Sequence, residues 1–270
     1  MLSKDVVKKH FNNIANTYDS NNQKLYWQLC DQLLWDIISK NNGFSQNDNF
    51  SFLDIGGGTG EWSYKMLSEF PNSNGILVDF SREMLEQAKL KLAAFKGRIQ
   101  IINSDVDDLN LNQAFDLILN IYLMPFYEHS EVLVNKLASL LRNNGTIISV
   151  AENYYNGIAL NVLKGNIEEV NRAVQTQTGS LSRYVPPLKF CKMGDLERMY
   201  LENGIEPTIK CGFPVVSLIG VQEALSDEKN SLTKILGSNF DDILQLELDN
   251  IYDTENINRG KYLSLIGKRM

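Results

Sequence analysis

Between Phe50 and Trp62 the chain reads Phe-Ser-Phe-Leu-Asp-Ile-Gly-Gly-Gly-Thr-Gly-Glu-Trp, and no other stretch restricts its fold as much. Phe52, Leu53 and Ile55 form a short apolar run of the kind buried in a central parallel strand, and glycines at 56, 57, 58 and 60 interrupt it at once. Glycine reaches positive φ without strain and carries no Cβ, so a ligand can lie against bare backbone. A helix starting near Glu61 would point its unpaired N–H groups at that ligand. Strand, glycine turn and helix in this order predict an α/β fold with a doubly wound, mostly parallel sheet.

Spacing restricts the ligand. The dinucleotide fingerprint G-x-G-x-x-G wants a small residue three places after its second glycine, where this chain has Glu61 (counted from Gly58) or Ser63 (counted from Gly60). A triphosphate loop would need Gly-Lys-Ser/Thr, and there is no lysine here. What fits is Asp54-Ile-Gly56-Gly-Gly58-Thr-Gly60, which resembles motif I of the class I, Rossmann-like S-adenosylmethionine-dependent methyltransferases. That cofactor brings an ammonium and a sulfonium rather than phosphate, and a carboxylate at the strand end suits it better than a lysine.

The following segments keep step with that resemblance. Gly75-Ile-Leu-Val-Asp79-Phe80-Ser81 reads as a second strand ending in an acid about 20 residues after the loop, where a carboxylate reaches ribose hydroxyls. Ser81 suits the N-cap of a helix through Met84, Leu85, Ala88 and Leu92. Ile99–Asn103 is a third strand followed by Asp105 and Val106, Phe115–Tyr122 a fourth strand containing Asn120, and Leu140–Ala151 a helix end, a Gly145 turn and a fifth strand. The resemblance implies that Asp54, Gly56, Gly58 and Gly60 hold the methionine and ribose, and that Asp79 binds the ribose. Phe80, Met84, Asp105, Val106 and Asn120 complete the S-adenosylmethionine site it implies. Asp107 and Asp108 read as a solvated charge run beside Asp105.

The fold so implied is a seven-stranded sheet with helical cap insertions in a single methyltransferase domain over 1–270. Its parts are an N-terminal helical lid (1–45), a cofactor-binding core (50–151), a cap insertion (152–190), C-terminal core segments (191–220 and 259–270) and a helical insertion (221–258). The lid reads as two helices within 4–40 joined near Thr17–Ser20. The last two strands are expected at Ile209–Leu218 and Lys261–Ile266.

A net charge of −7 and a pI near 5.0 argue against a nucleic-acid partner, which would need a basic surface. Cys30, Cys191 and Cys211 are too dispersed for a metal or disulfide framework, so no metal is expected and a reduced, cytoplasmic protein is. The N-terminus lacks a signal-like apolar segment, and no run is long enough to span a membrane. The partner expected is a small-molecule or peptide-derived methyl acceptor, met by a monomer or homodimer.

Glu152 after the fifth strand, Tyr122 after the fourth and Tyr18 in the lid are the candidate acceptor-side catalytic residues, because the sheet's carboxyl edge faces the methyl group. The two histidines, His10 and His129, read as surface residues. An acidic pocket without histidine suits an amine that binds as ammonium, which favours N-methylation in secondary metabolism. The alternative is O-methylation of a small hydroxylated or carboxylic substrate, and a second is an inactive cofactor-binding regulatory protein.

Overall fold

The computed structural model of the protein describes residues 3–21, 24–216 and 229–270. Its strands are β1 (Ser51–Ile55), β2 (Asn74–Asp79), β3 (Ile99–Asn103), β4 (Phe115–Ile121), β5 (Leu141–Asn153), β6 (Thr178–Gly179), β7 (Leu188–Cys191), β8 (Ile205–Phe213) and β9 (Tyr262–Arg269). The main sheet runs β3-β2-β1-β4-β5-β9-β8, parallel from β3 to β5, with β9 antiparallel to both β5 and β8. The expected seven-stranded, mostly parallel sheet is therefore present, and β6 and β7 are a small addition on the end of β5.

Side chains alternate across this sheet with the two-residue period of a strand. Leu117, Leu119 and Ile121 enter one apolar layer with α2 (Leu25–Asn41), α3 (Glu61–Glu69) and α4 (Arg82–Lys91). Ile118 enters the opposite layer with α5 (Ser130–Leu140) and α8 (Met193–Leu201). Burial on both faces explains why β1, β2 and β4 read as nearly unbroken apolar runs. Ser81 caps α4 as expected, its Oγ accepting the Met84 N–H at 3.2 Å.

Several boundaries differ from the sequence reading. Helix α1 (Lys4–Asn21) continues through Thr17–Ser20, because the stripe Val7, Phe11, Ala15, Tyr18 keeps helical spacing through that stretch. Strand β8, expected from Ile209 to Leu218, starts at Ile205 and ends at Phe213, before Pro214, which lacks the N–H a further ladder bond would need. Residues 217–228, holding the expected end of that strand at Leu218 and the start of the 221–258 insertion, lie outside the described residues. The rest of that insertion contains α9 (Lys229–Leu248), packed on α2. After α5 the chain enters β5 at once; the left-handed residue is Asn144 (φ 63°), not Gly145. The 152–190 segment is a cap of α6 (Tyr154–Leu163), α7 (Ile167–Thr176) and the β6–β7 pair, around Tyr154, Ala173, Leu188 and Phe190.

Candidate functional site

Because β1 to β4 are parallel, their carboxyl ends open on the same side, and the loops there line a cleft. The glycine loop is drawn onto β2, with the Gly56 and Gly57 N–H groups both donating to the Val78 carbonyl at 2.8 and 3.1 Å. Its glycines do different work. A Cβ on Gly57 would sit 2.8 Å from the Asp54 carboxyl and from Leu77, so this position exists for packing. At Gly58 (φ 54°) a Cβ would meet nothing within 4 Å and would stand in the cleft. Gly60 (φ 80°) caps α3 and does not line the cleft.

Asp79 ends β2 at the cleft wall and is only 8% exposed. Its Oδ2 accepts the Gly58 N–H at 3.0 Å and its Oδ1 the Ser81 N–H at 2.7 Å, which ties loop, strand and α4 to one carboxylate. Burial pushes this carboxyl up to about 6, against the Ser81, Gly58 and Phe80 N–H groups and Lys8, which pull it down. Asp79→Ala is expected to weaken cofactor affinity by about 1–3 kcal/mol, the usual cost of a lost charged hydrogen-bond partner. With ionised Asp79 as the acceptor for ribose hydroxyls, wild-type affinity should also fall as pH drops through 6. Calorimetry from pH 7.5 to 5.5 checks this, and an equal pH response in Asp79→Asn would remove Asp79 as the cause.

Phe80, Met84, Ser104, Asp105 and Val106 line the part of the cleft that the start of α1 reaches. Lys4 closes it, bonding Asp105 at 2.8 and 2.9 Å and also Asp107. Burial would raise the Asp105 carboxyl, but Lys4 and the Asp107 N–H outweigh it and hold it below its ordinary value. Asp107 is therefore more than a solvated loop acid: it accepts the Tyr127 hydroxyl as well as Lys4, both of which line the cleft. Being half exposed, its pair with Lys4 contributes at most about 1 kcal/mol, so Asp107→Ala should cost less than Asp79→Ala. The other end of α1 is tied down through Asp19, which accepts the Thr59 hydroxyl at 2.7 Å and pairs with Lys91 at 2.9 Å.

Tyr18, Asp31, Glu61, Trp62 and Tyr122 line the cleft as well. Burial raises Asp31 to about 6, with Lys65 and Lys91 opposing and Glu61 and Asp19 adding to the rise. Tyr122 follows β4 with φ 58°, a strained value for a residue with a large side chain, and its buried hydroxyl has no hydrogen-bond partner. Burial, with Cys30, Asp31 and Glu152 nearby, lifts its phenol well above the ordinary value, so it stays protonated and able to donate.

Of the residues singled out from sequence, Gly56, Gly58, Asp79, Phe80, Met84, Asp105, Val106, Tyr18 and Tyr122 line the cleft. Asp54, Gly60, Asn120 and Glu152 do not. Asp54 turns inward to the start of α3, where its Oδ2 takes the Ser63 hydroxyl at 2.7 Å and the Ser63 N–H at 3.2 Å; burial lifts it to about 6. Asn120 is fully buried and donates to Ser149 Oγ at 2.9 Å. Glu152 lies behind the wall, 5% exposed, with Oε1 unpartnered, and burial raises it to about 7 while Lys261 pulls it down. Neither His10 nor His129 reaches the cleft, as expected.

A carboxyl that holds its proton more tightly when folded makes the fold less stable as pH rises from its unfolded to its folded pKa. For Glu152 that window runs from about 4.5 to about 7, so Glu152→Gln should flatten a fall in stability of at most roughly 3 kcal/mol, read by urea unfolding across pH 5 to 8. An unchanged pH profile would show that Glu152 is ionised in the folded protein.

Sequence reasoning missed Lys4, Asp31, Glu61, Trp62 and Tyr127. Asp31 alone carried a signal, being a lone acid in the apolar run Leu29-Cys30-Asp31-Gln32-Leu33-Leu34 of α2.

Comparison with known proteins agrees with this geometry. Residues 52–145 match the family described as Methyltransferase domain. A malonyl-[acyl-carrier protein] O-methyltransferase of Priestia megaterium is 27% identical over 243 residues, 83% of this chain and 84% of that protein. A second protein of that description, from Ilyobacter polytropus, is 32% identical over 147 residues, about half of each chain (54% and 52%). Among solved structures, geranyl diphosphate C-methyltransferase of Streptomyces coelicolor A3(2), in complex with S-adenosyl-L-homocysteine, superposes with a TM-score of 0.57 at 10% identity, covering 89% of this chain and 79% of that one. The family match takes in the glycine loop, and together with the doubly wound, mostly parallel sheet it identifies residues 52–145 as a methyltransferase domain of the Rossmann-like, S-adenosylmethionine-dependent kind.

Proposed function

We propose that the protein transfers a methyl group from S-adenosylmethionine to the oxygen of a small carboxylic acceptor. The cleft fits the cofactor: Gly58 leaves open a space that any side chain would fill, and Asp79 stands beside it as a buried acceptor. Gly56 to Gly58 would hold the methionine end, Asp79 the ribose, and Phe80, Met84 and Val106 the adenine. When bound, the cofactor supplies a methyl group on a sulfonium, open to in-line attack.

The chain's own residues then have to orient the acceptor and exclude water. Helix α1 covers the cleft through Lys4, Val7, Phe11 and Tyr18. Tyr122, just after β4, is suited to donate a hydrogen bond to an acceptor oxygen. Among the described residues no histidine lines the cleft. A phenol or alcohol would need a base, whereas a carboxylate is already ionised at neutral pH and needs none.

What carries the reading is the set of relatives: five of those matched are described as malonyl-[acyl-carrier protein] O-methyltransferases. The N-methylation expected from sequence rested on Glu152 drawing an ammonium into the cleft, and Glu152 does not line it. Asp31 does, and this is the observation that favours an amine acceptor as the second reading. Incubation with S-adenosylmethionine and matched acceptors, malonyl thioesters against primary and secondary amines, separates the two by mass spectrometry. The expected product is a base-labile methyl ester; methylated amines with no ester would reverse the order.

A further inference from the structure

Large apolar side chains are unevenly distributed over the surface. Of the fifteen that are exposed among the described residues, seven lie between residues 155 and 185, in the cap. Val162 and Leu163 end α6, Ile167 begins α7, and Val174 stands two turns further along α7. Lys164, between the two helices, bonds the Leu181 carbonyl and so brings the loop carrying Tyr184 (70% exposed) beside this corner. A patch of this kind on a water-facing surface marks a contact site.

Charge is segregated in the same place. Residues 153–192 contain five basic and two acidic side chains, a net +3 inside a chain of net −7. Arg172 pairs with Glu169, but Lys164, Arg183, Lys189 and Lys192 have no carboxylate within 4.0 Å among the described residues. Arg183 instead lies over the Tyr184 ring at 4.8 Å and Lys192 over the Tyr154 ring at 4.4 Å. The cap also adjoins the cleft. Phe126, which packs on the cap core of Tyr154, Ala173, Leu188 and Phe190, is itself part of the cleft wall.

From this apolar, cationic surface beside the mouth of an acidic enzyme we infer that the cap is the docking surface for an acidic carrier protein that presents the methyl acceptor on a tether. The inference rests on the carboxylic-acceptor reading for what the tether carries, and on the cap itself for where the carrier binds. A second copy of this chain fits the surface less well, since a twofold contact would set like charges against like. Complementary charge would steer the carrier to the cap and make binding sensitive to salt.

The test uses the full-length protein with S-adenosylhomocysteine present and a malonyl-loaded acyl-carrier protein as probe. Calorimetry should show binding that weakens with salt, and the double variant Lys164→Glu/Arg183→Glu should weaken it by at least about tenfold while leaving S-adenosylhomocysteine affinity unchanged. Circular dichroism checks that the variant is folded. In turnover, the variant should raise KM for the carrier-bound acceptor and leave KM for malonyl-coenzyme A within about twofold. Carrier binding that is absent, or untouched by the reversals, overturns the inference. So does binding to phosphatidylcholine–phosphatidylglycerol vesicles without carrier binding, or a reversal that acts only by changing the oligomeric state. If the carrier binds through the cap but no malonyl ester forms, the docking surface stands and the acceptor chemistry falls. If malonyl-coenzyme A is esterified but the carrier does not bind, the acceptor chemistry stands and the docking surface falls.

Discussion

Gly58→Val is expected to abolish binding of S-adenosylmethionine and S-adenosylhomocysteine, with a loss of at least about hundredfold in calorimetry, roughly 2.7 kcal/mol. Two effects combine. At φ 54° a β-branched residue is strained by about 1–2 kcal/mol, and its side chain would project into the part of the cleft that the loop leaves open. The Gly58 N–H also donates to Asp79, so a shift of the loop to relieve strain would disturb the carboxylate proposed to hold the ribose. Gly97→Val is the control, because Gly97 has φ 99° and an equally open Cβ position but lies outside the cleft. It should cost stability and leave ligand affinity alone. Equal loss of binding in both variants would mean that the glycine loop acts through folding and not through ligand contact.

The same loop shows how much of the protein was legible in its sequence. The central strands could be located from sequence because each is buried on both faces and is punctuated by glycine or an acid at its carboxyl end, and such signals are local. Asp79, Met84, Asp105 and Val106 could be placed because they lie at those ends or within a turn of them. Asp54 misled for a related reason. It occupies the end of β1, but whether its carboxylate faces the ligand or the start of α3 is decided by Ser63 nine residues on, which local pattern does not reveal. Asn120 stands on the expected strand but faces inward, and Glu152, expected just after the fifth strand, lies within β5, also buried. The part of the cleft proposed to take the acceptor was the least legible. It is assembled from α1, α2, α3 and the turn after β4, so Asp31 and Trp62 become neighbours of Tyr122 only through packing of elements distant in sequence. Similarly, the Lys4 contact with Asp105 spans a sequence separation of 101 residues.

Tyr122→Phe should separate catalysis from stability. A buried hydroxyl without a partner costs the folded state about 1–3 kcal/mol, so removing it should leave stability unchanged or raised. Such an unsatisfied group, on a residue held at φ 58° beside the cleft, is retained at a cost to the fold, and the proposed return is a hydrogen bond to the acceptor. Losing that bond should lower kcat/KM for the acceptor by about 10- to 100-fold while S-adenosylhomocysteine affinity stays within about twofold, the signature of a residue that meets acceptor and not cofactor. The aromatic ring remains to pack on Tyr262, 4.8 Å away between centroids, so the wall of the cleft should keep its shape. Thermal unfolding, calorimetry and acceptor kinetics on one preparation provide all three readouts. A destabilised variant with parallel loss of cofactor binding would show that the hydroxyl supports the fold. A variant equal to wild type in all three would move the acceptor's hydrogen-bond partner elsewhere in the cleft, with Asp31 and Tyr18 next to be tested.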